Sequence, residues 1–246
     1  MKRPVQTLLL ALMGIGLLHV ALFTDIYLRY VKAGLRPLLI GSGVVLLLLG
    51  LAAAVARDRH PDPEDTGDEH DHGHDHTGTP RIAWLLCFPA LSLLLYAPPA
   101  LGAYTAARAN DRPVAAQQGF APLPATSPLP LTLTDFTKRV RQDRSRAIAH
   151  RTVRLTGFVT PAGEDGGWYL TRIIFSCCAA DSQTVKVRMY GAEAPPADTW
   201  LAVTGTWHPR GTLGTRTAQA ALDVRDVRPV APPVNAYTDD LPLTPS

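Results

Sequence analysis

The sequence predicts a membrane protein with three transmembrane helices followed by a C-terminal all-β domain, either a small OB-like barrel or a sandwich. Three apolar runs, at residues 5–27, 38–56 and 82–101, each approach the roughly 20 residues that cross a bilayer as a helix. Beyond about residue 150 the apolar residues instead recur with a period of two, which is typical of strands. A stretch rich in alanine and proline separates these two parts of the chain.

The first two apolar runs predict a multi-pass protein of the cell membrane, in contact with the lipid bilayer. Lys2 and Arg3 precede the run at 5–27 as in a signal peptide, but the run is longer than a typical apolar signal core. The run at 38–56 consists almost entirely of Leu, Val, Gly and Ala, with no charge before Arg57. A helix on the surface of a soluble protein would carry a polar face.

The charges at the N-terminus predict the orientation of the spans. Basic residues are nearly balanced between the two sides, so the first helix decides, and Lys2 and Arg3 favour a cytoplasmic start. Two crossings then return the chain to the cytoplasm at the loop 57–81. The third crossing makes the C-terminal β domain extracytoplasmic.

The loop at 57–81 predicts a metal-binding tract. Its centre reads His-Asp-His-Gly-His-Asp-His and contains the alternating histidines His70, His72, His74 and His76. Alternate residues of an extended chain fall on one side, and the central Gly73 allows the tract to fold back. Imidazoles supported by carboxylates suit zinc, nickel or copper(II). The alternative is a solvated acidic spacer whose histidines are incidental.

Residues 1–104 therefore form the predicted membrane region, 105–130 an Ala/Pro-rich linker and 131–246 the β domain with a polar tail. The domain opens with a short basic helix, for which Thr134-Asp135 is the predicted N-cap and His150 the approximate end. Five strands are predicted after it, at 153–159, 168–175, 184–190, 200–207 and 222–230. Five short strands favour an OB-like barrel, although 191–199 leaves little room for the usual OB helix.

The adjacent cysteines Cys177 and Cys178 are the main candidate site of this domain. Neighbouring cysteines rarely bridge each other, because a disulfide needs Cα atoms about 4.4–6.8 Å apart and suitably directed side chains. They are instead candidate soft-metal ligands or a redox pair. A turn after Cys178 would bring both thiols and Asp181 around one ion, with zinc favoured, or copper(I) for the thiols alone. The alternative is that both cysteines simply fill a core.

Several motifs together carry a resemblance to a known family. They are the spans, the histidine-rich loop and four segments of the β domain, Thr156-Gly157-Phe158-Val159, Leu170-Thr171-Arg172, Cys177-Cys178-Ala179-Ala180-Asp181 and Val203-Thr204-Gly205-Thr206-Trp207. In these features the chain resembles the YcgQ-like membrane proteins, described as a subunit of a two-component permease. The resemblance implies a partner integral-membrane permease of the YcgR type, and supplies neither a substrate nor catalytic residues.

We therefore expect an accessory subunit that binds or hands over a metal ion, zinc favoured, for a permease. Two alternatives stay open: a membrane-tethered thiol redox or sensing protein that uses Cys177 and Cys178, and a structural assembly subunit. The sequence lacks a Ser-His-Asp order, a Gly-Lys-Ser phosphate loop and paired carboxylates, so we predict that it is not an enzyme. With 24 basic and 21 acidic residues and a membrane tether, no nucleic-acid partner is expected.

Overall fold

The fold is described from a computed structural model, which covers residues 3–59, 100–109, 115–163 and 166–241. Two compact units divide the chain: a helical unit of Met1–Tyr27 and Gly34–Ala100, and a β unit of Leu28–Ala33 and Leu101–Ser246. The histidines predicted to bind metal (His70, His72, His74 and His76) and almost all of the third apolar run at 82–101 lie outside the described residues.

The helical unit contains two apolar helices, α1 (Arg3–Phe23) and α2 (Arg36–Arg59). Ala33–Ala56, with a mean hydropathy of 2.6, is the one helix in the described part of the chain that is long and apolar enough to cross a membrane; Thr7–Phe23 is a shorter apolar helix. A Cβ added at Gly14 would lie 2.8 Å from Leu47 Cγ. The two helices therefore approach closely where glycine leaves room, as packed membrane helices often do.

The first apolar run ends as a helix earlier than the sequence predicts. The run was expected to span 5–27, but α1 stops at Phe23 and a 3₁₀ turn follows at Ile26–Arg29. The guanidinium of Arg36 donates hydrogen bonds to the carbonyls of Ala21 (2.8 Å) and Leu22 (3.3 Å). These bonds satisfy carbonyl groups that the end of a helix leaves without intrahelical partners.

The β unit is built on one mixed six-stranded sheet. Its elements are α3 (Ala103–Arg108), β1 (Leu129–Pro130), α4 (Leu133–Gln142), β2 (Thr152–Pro161), β3 (Trp168–Phe175), β4 (Ser182–Tyr190), β5 (Trp200–Trp207) and β6 (Ala221–Pro229). The strand order is β1-β2-β3-β4-β6-β5, and β2 also pairs with β5. The pairs β1–β2 and β4–β6 are parallel and the others antiparallel. Each strand from β2 to β6 is therefore paired along both edges for part of its length.

Helix α4 packs on the main apolar core of this sheet. Phe136 and Val140 of α4 are fully buried in the same cluster as Leu155, Trp168 and Leu170. Burial alternates along most of β5 and the first half of β2, so one face of these segments supplies the core, whereas 157–160 of β2 are buried on both faces. The predicted basic helix of the domain is thus present, with Phe136 and Val140 buried.

Both predicted ends of that helix are wrong. The N-cap is Thr132, whose Oγ1 accepts a hydrogen bond from Asp135 N–H at 3.0 Å. The helix ends at Gln142 because the chain turns at Asp143, whose Oδ1 accepts from Ser145 N–H at 3.0 Å. Arg146 and His150 then adopt positive φ angles of 54° and 58°, which a right-handed helix excludes.

A second, smaller apolar cluster lies where β3 ends. It contains Ala103, Ala106, Phe158, Ile173, Phe175 and Tyr237. Phe175, the last residue of β3, stacks on Tyr237 with ring centroids 4.2 Å apart. The short helix α3 and the tail of the domain thus pack together beside the segment that leaves β3. This cluster anchors the candidate site.

Candidate metal centre

Cys177 and Cys178 lie in the tight connection between β3 and β4, here called the cysteine loop (Ser176–Asp181). A 3₁₀ turn at Ala179–Asp181 follows Cys178 at once, so the turn expected from the sequence is present. Cys177 is exposed and Cys178 half-buried, and both are free thiols. The rigid strands on either side therefore present the two thiols at the surface rather than in the core, contrary to the core-filling alternative.

The carboxylate of Asp181 organises the backbone of the loop. Its Oδ1 accepts hydrogen bonds from Ser176 N–H and Cys178 N–H, both at 3.1 Å, and its Oδ2 accepts from Cys177 N–H at 2.8 Å. Three consecutive amides thus converge on one side chain. Charge-assisted bonds of this kind are stronger than bonds between neutral groups. Asp181 therefore holds in place the backbone from which both thiol side chains project.

The three side chains also form a group that can hold a metal ion. One ligand atom from each of Cys177, Cys178 and Asp181 lies within 4.8 Å of the other two. Tetrahedral zinc with Zn–S bonds of about 2.3 Å needs ligand atoms roughly 3.5–3.8 Å apart, so a closure of about an ångström suffices. Two thiolates and one oxygen would leave a fourth position for water or another ligand. The donor set therefore fits zinc.

The same neighbours control the protonation of the thiol. A hydrogen bond to Asp181, followed by one to Cys178, raises the pKa of Cys177 to about 11. Conversely, the hydrogen bond from the Cys177 side chain, together with the three backbone amides, holds the pKa of the Asp181 carboxyl below its usual range. At neutral pH the metal-free loop therefore keeps Cys177 as a thiol, and a metal ion must displace its proton.

The cysteine loop pairs with a segment that is distant from it in sequence. It is the connector Tyr30–Lys32, which joins the two apolar helices along the chain and belongs to the β unit. Lys32 N–H donates to Cys177 O at 2.9 Å, and Ala179 N–H donates to Tyr30 O at 2.8 Å. Val31 and Cys178 are partners in an antiparallel bridge. No sequence signal indicates this pairing, because it involves backbone groups only.

Arg172 is a second residue whose role the sequence did not reveal. It is 3% exposed on β3, and its guanidinium carbon lies 4.9 Å from the Trp200 ring centroid. It donates to the carbonyl of Thr238, and its Nε lies 3.8 Å from Asp239 Oδ1. Burial lowers the pKa of Arg172, against the opposing charge of Asp239. Arg172 thus holds the tail against the strand that carries the cysteine loop.

A comparison with protein families finds a match within the β unit. Residues 136–238 match the DUF1980 C-terminal domain family. The DUF1980-like segment runs from α4 to the tail, and includes the three candidate ligands and Arg172. No curated protein and no solved structure matches the chain significantly. The YcgQ-like resemblance and its permease partner stay predictions.

The match leaves the connector and both apolar helices outside the DUF1980-like segment. Tyr30, Val31 and Lys32 therefore come from a separate part of the chain to meet a loop of the DUF1980-like segment. The four alternating histidines, His70, His72, His74 and His76, also lie outside the segment and outside the described residues. Their metal binding stays a prediction from sequence.

Proposed function

We propose that this protein is an accessory subunit of a two-component membrane permease that binds or hands over a metal ion, zinc favoured, through Cys177, Cys178 and Asp181. The observation that carries the metal part is the convergence of two thiols and a carboxylate at an exposed turn between two paired strands. An exposed site of this kind suits transfer of an ion between molecules. The permease partner, of the YcgR type, rests on the family resemblance.

The electrostatics of the loop favour metal binding over the redox or sensing alternative. A reactive thiol needs a low pKa, which cations or a helix N-terminus provide. Here the main influence on the thiol is the hydrogen bond to Asp181, which together with that to Cys178 raises the pKa of Cys177 to about 11. A divalent ion reverses this penalty, because it neutralises thiolate and carboxylate together. The alternative of a purely structural assembly subunit gives no reason for the exposed dithiol.

We further propose that the β unit is an OB-like barrel carried outside the cytoplasm by a multi-pass membrane region. The pairing of β2 with both β3 and β5 supports closure of the sheet, and the parallel β4–β6 pair follows the OB order of strands. The described connection between β4 and β5 holds no helix, in line with the shortened OB pattern expected. The histidine tract would collect ions on the other side of the membrane.

Zinc titration of the reduced full-length protein in detergent tests the metal site. We expect Cys177→Ser with Cys178→Ser to weaken binding at one site by about 100-fold or more, since soft thiolate ligands are lost. Cys87→Ser is the matched control and should bind as the unmodified chain does. Alanine at His70, His72, His74 and His76 should remove a separate, weaker class of sites. Unchanged affinity and stoichiometry in the double serine variant would contradict the assignment.

Cross-linking in native membranes tests the partner. Mass spectrometry of cross-linked material should show an integral-membrane permease attached to the β unit or the helices. Capture of the same permease by the double serine variant would show that assembly does not require the metal. Cross-links only within this chain would contradict the role as a permease subunit and leave the metal site to be explained differently.

A further inference from the structure

We propose that the connector Tyr30–Lys32 is part of the metal site: it positions the cysteine loop, and metal occupancy strengthens its pairing with the loop. The positioning part stands on the described contacts alone. The coupling to metal rests on the proposed function. Connector and loop lie within the same compact unit.

The two hydrogen bonds between connector and loop involve the residues on either side of Cys178. On one side of it Cys177 O accepts from Lys32 N–H at 2.9 Å, and on the other Ala179 N–H donates to Tyr30 O at 2.8 Å. Cys178 itself is the bridge partner of Val31. Directly opposed residues of an antiparallel pair place their side chains on one face. This puts Val31 on the face of Cys178, whose side chain is half-buried while that of Cys177 is exposed.

The connector and Asp181 hold different groups of the same peptides. The carboxylate accepts hydrogen bonds from the N–H groups of Ser176, Cys177 and Cys178. The connector donates one hydrogen bond to the carbonyl of Cys177 and accepts one from the N–H of Ala179. Together they satisfy backbone groups on both sides of the two thiols.

The coupling follows from how a metal ion would act on this arrangement. Bringing three ligand atoms from within 4.8 Å to bonding geometry restricts the backbone of Cys177 and Cys178. A loop that a bound ion already holds in one conformation loses less conformational entropy when it pairs with the connector. By linkage, pairing with the connector strengthens metal binding to the same extent. Along the chain the connector is separated from α1 and α2 by short segments that contain the 3₁₀ turns Ile26–Arg29 and Ala33–Leu35. A bound ion would thereby restrict the segment that connects the two apolar helices.

Proline substitution removes each hydrogen bond while a matched variant keeps it. Lys32→Pro deletes the amide that reaches Cys177, whereas Lys32→Ala removes only the side chain. Ala179→Pro deletes the amide that reaches Tyr30, at the first position of a 3₁₀ turn, where proline is tolerated in helices; Ala179→Ser keeps it. All four are made in the full-length chain with Cys87→Ser, in detergent.

The first readout needs no metal. Peptide mass spectrometry measures the maleimide labelling of Cys178 relative to Cys177. We expect both proline variants to raise this ratio by about threefold or more, because local opening exposes the half-buried thiol. The alanine and serine variants should stay near the parent value. Equal labelling in all four variants would overturn the positioning role.

The second readout is hydrogen exchange of residues 28–35 on addition of zinc. We expect exchange to slow in the parent and in Lys32→Ala, and to be unaffected in the double serine variant. Zinc binding without any change in this segment would overturn the coupling and leave the proposed function intact. A failure to bind zinc, with the labelling difference present, would overturn the proposed function and the coupling, but not the positioning role.

Discussion

At the scale of single residues, Asp181 has a role in the backbone of the cysteine loop that its position in the sequence does not suggest. It was expected to return as a third metal ligand, and its ligand atom does lie near both thiols. Its two oxygens, however, already accept three backbone hydrogen bonds. Asp181 therefore both shapes the loop and sets the charge state of Cys177. Its place as a third metal ligand stays a prediction.

Replacing Asp181 should make Cys177 more reactive. The hydrogen bond to Asp181 is the main cause that raises the pKa of Cys177 to about 11, so the thiol ionises only in strongly alkaline solution. With Asp181→Asn the pKa should fall towards the ordinary value of about 8.5. We expect alkylation of metal-free Cys177 at pH 8 to become about tenfold faster, because thiolate is the reactive form.

Iodoacetamide labelling followed by mass spectrometry measures this rate across pH 7–11. The parent rate should keep rising through pH 10, while that of the variant should level off earlier. Asp226→Asn, which changes an exposed carboxylate on β6, is the control and should leave the profile unchanged. A variant that labels no faster than the parent would show that Asp181 does not control the thiol.

The proximity of the three candidate ligands could be predicted because it is local. A single turn separates the two cysteines, Cys177 and Cys178, from Asp181. A strand end that is followed by small residues favours such a turn. The bonds from Asp181 to its own loop could not be predicted, since they depend on backbone angles that side-chain identity does not specify. The Lys32–Cys177 hydrogen bond was invisible for a second reason: it joins backbone groups distant in sequence.

At the scale of elements, the strands were predicted well because their apolar residues alternate. β3 and β5 have the predicted bounds, 168–175 and 200–207, and the other three agree within two residues at each end. The two-residue strand β1 was missed inside the predicted linker, since so short a pair shows no period. The start of the predicted linker, 105–108, lies in the helix α3, which was also missed, whereas the linker residues at 115–128 have no regular structure.

The short helix α3 is fixed to the β unit by a close contact at its first turn. Ala103 N–H donates to Asp198 Oδ1 at 2.6 Å, and Tyr237 Oη donates to Leu101 O at 3.0 Å. A Cβ added at Gly102 would lie 2.4 Å from the same Asp198 oxygen. Only glycine therefore allows this hydrogen bond in the present arrangement.

Gly102→Ala should consequently release α3 from the β unit. The methyl group displaces the Asp198 carboxylate and breaks its bond to Ala103, and we expect a loss of about 1–2 kcal/mol in the free energy of unfolding. Urea unfolding of the full chain in detergent, followed by tryptophan fluorescence, measures this loss. Gly34→Ala is the control, because an added Cβ there meets no atom within 4 Å. Equal stability of both variants would contradict the contact.

At the scale of the whole molecule, the pairing of Val31 with Cys178 constrains how the chain crosses the membrane. Paired residues must lie on one side of the bilayer. The chain between them then crosses an even number of times. If α2 crosses the membrane, a second crossing is required before the β unit, as the apolar run at 82–101 predicts from sequence. The pairing carries no information about α1, so three spans stay a prediction.

Site-directed labelling tests this topology. Single cysteines are introduced as Ala33→Cys, Arg216→Cys and Gly73→Cys in a chain whose own cysteines are replaced by serine. A membrane-impermeant maleimide should label the first two in intact cells and the third only after permeabilisation. Labelling of Ala33→Cys and Arg216→Cys from opposite sides would contradict the pairing. Protection of both in intact cells would keep the pairing and reverse the predicted orientation.

The link between connector and cysteine loop also fixes an order of events during synthesis. The connector leaves the ribosome with the first helices, whereas its partner loop follows only after most of the chain has been made. Contacts so distant in sequence form late, because the chain between them must first be ordered. Until the cysteine loop has been made and folded, the carbonyl of Tyr30 and the amide of Lys32 lack their two hydrogen bonds to it. A chain that is truncated before Ser176 therefore lacks this pairing whatever the state of its helices, and the site is completed only after the strands on either side of the loop have been made.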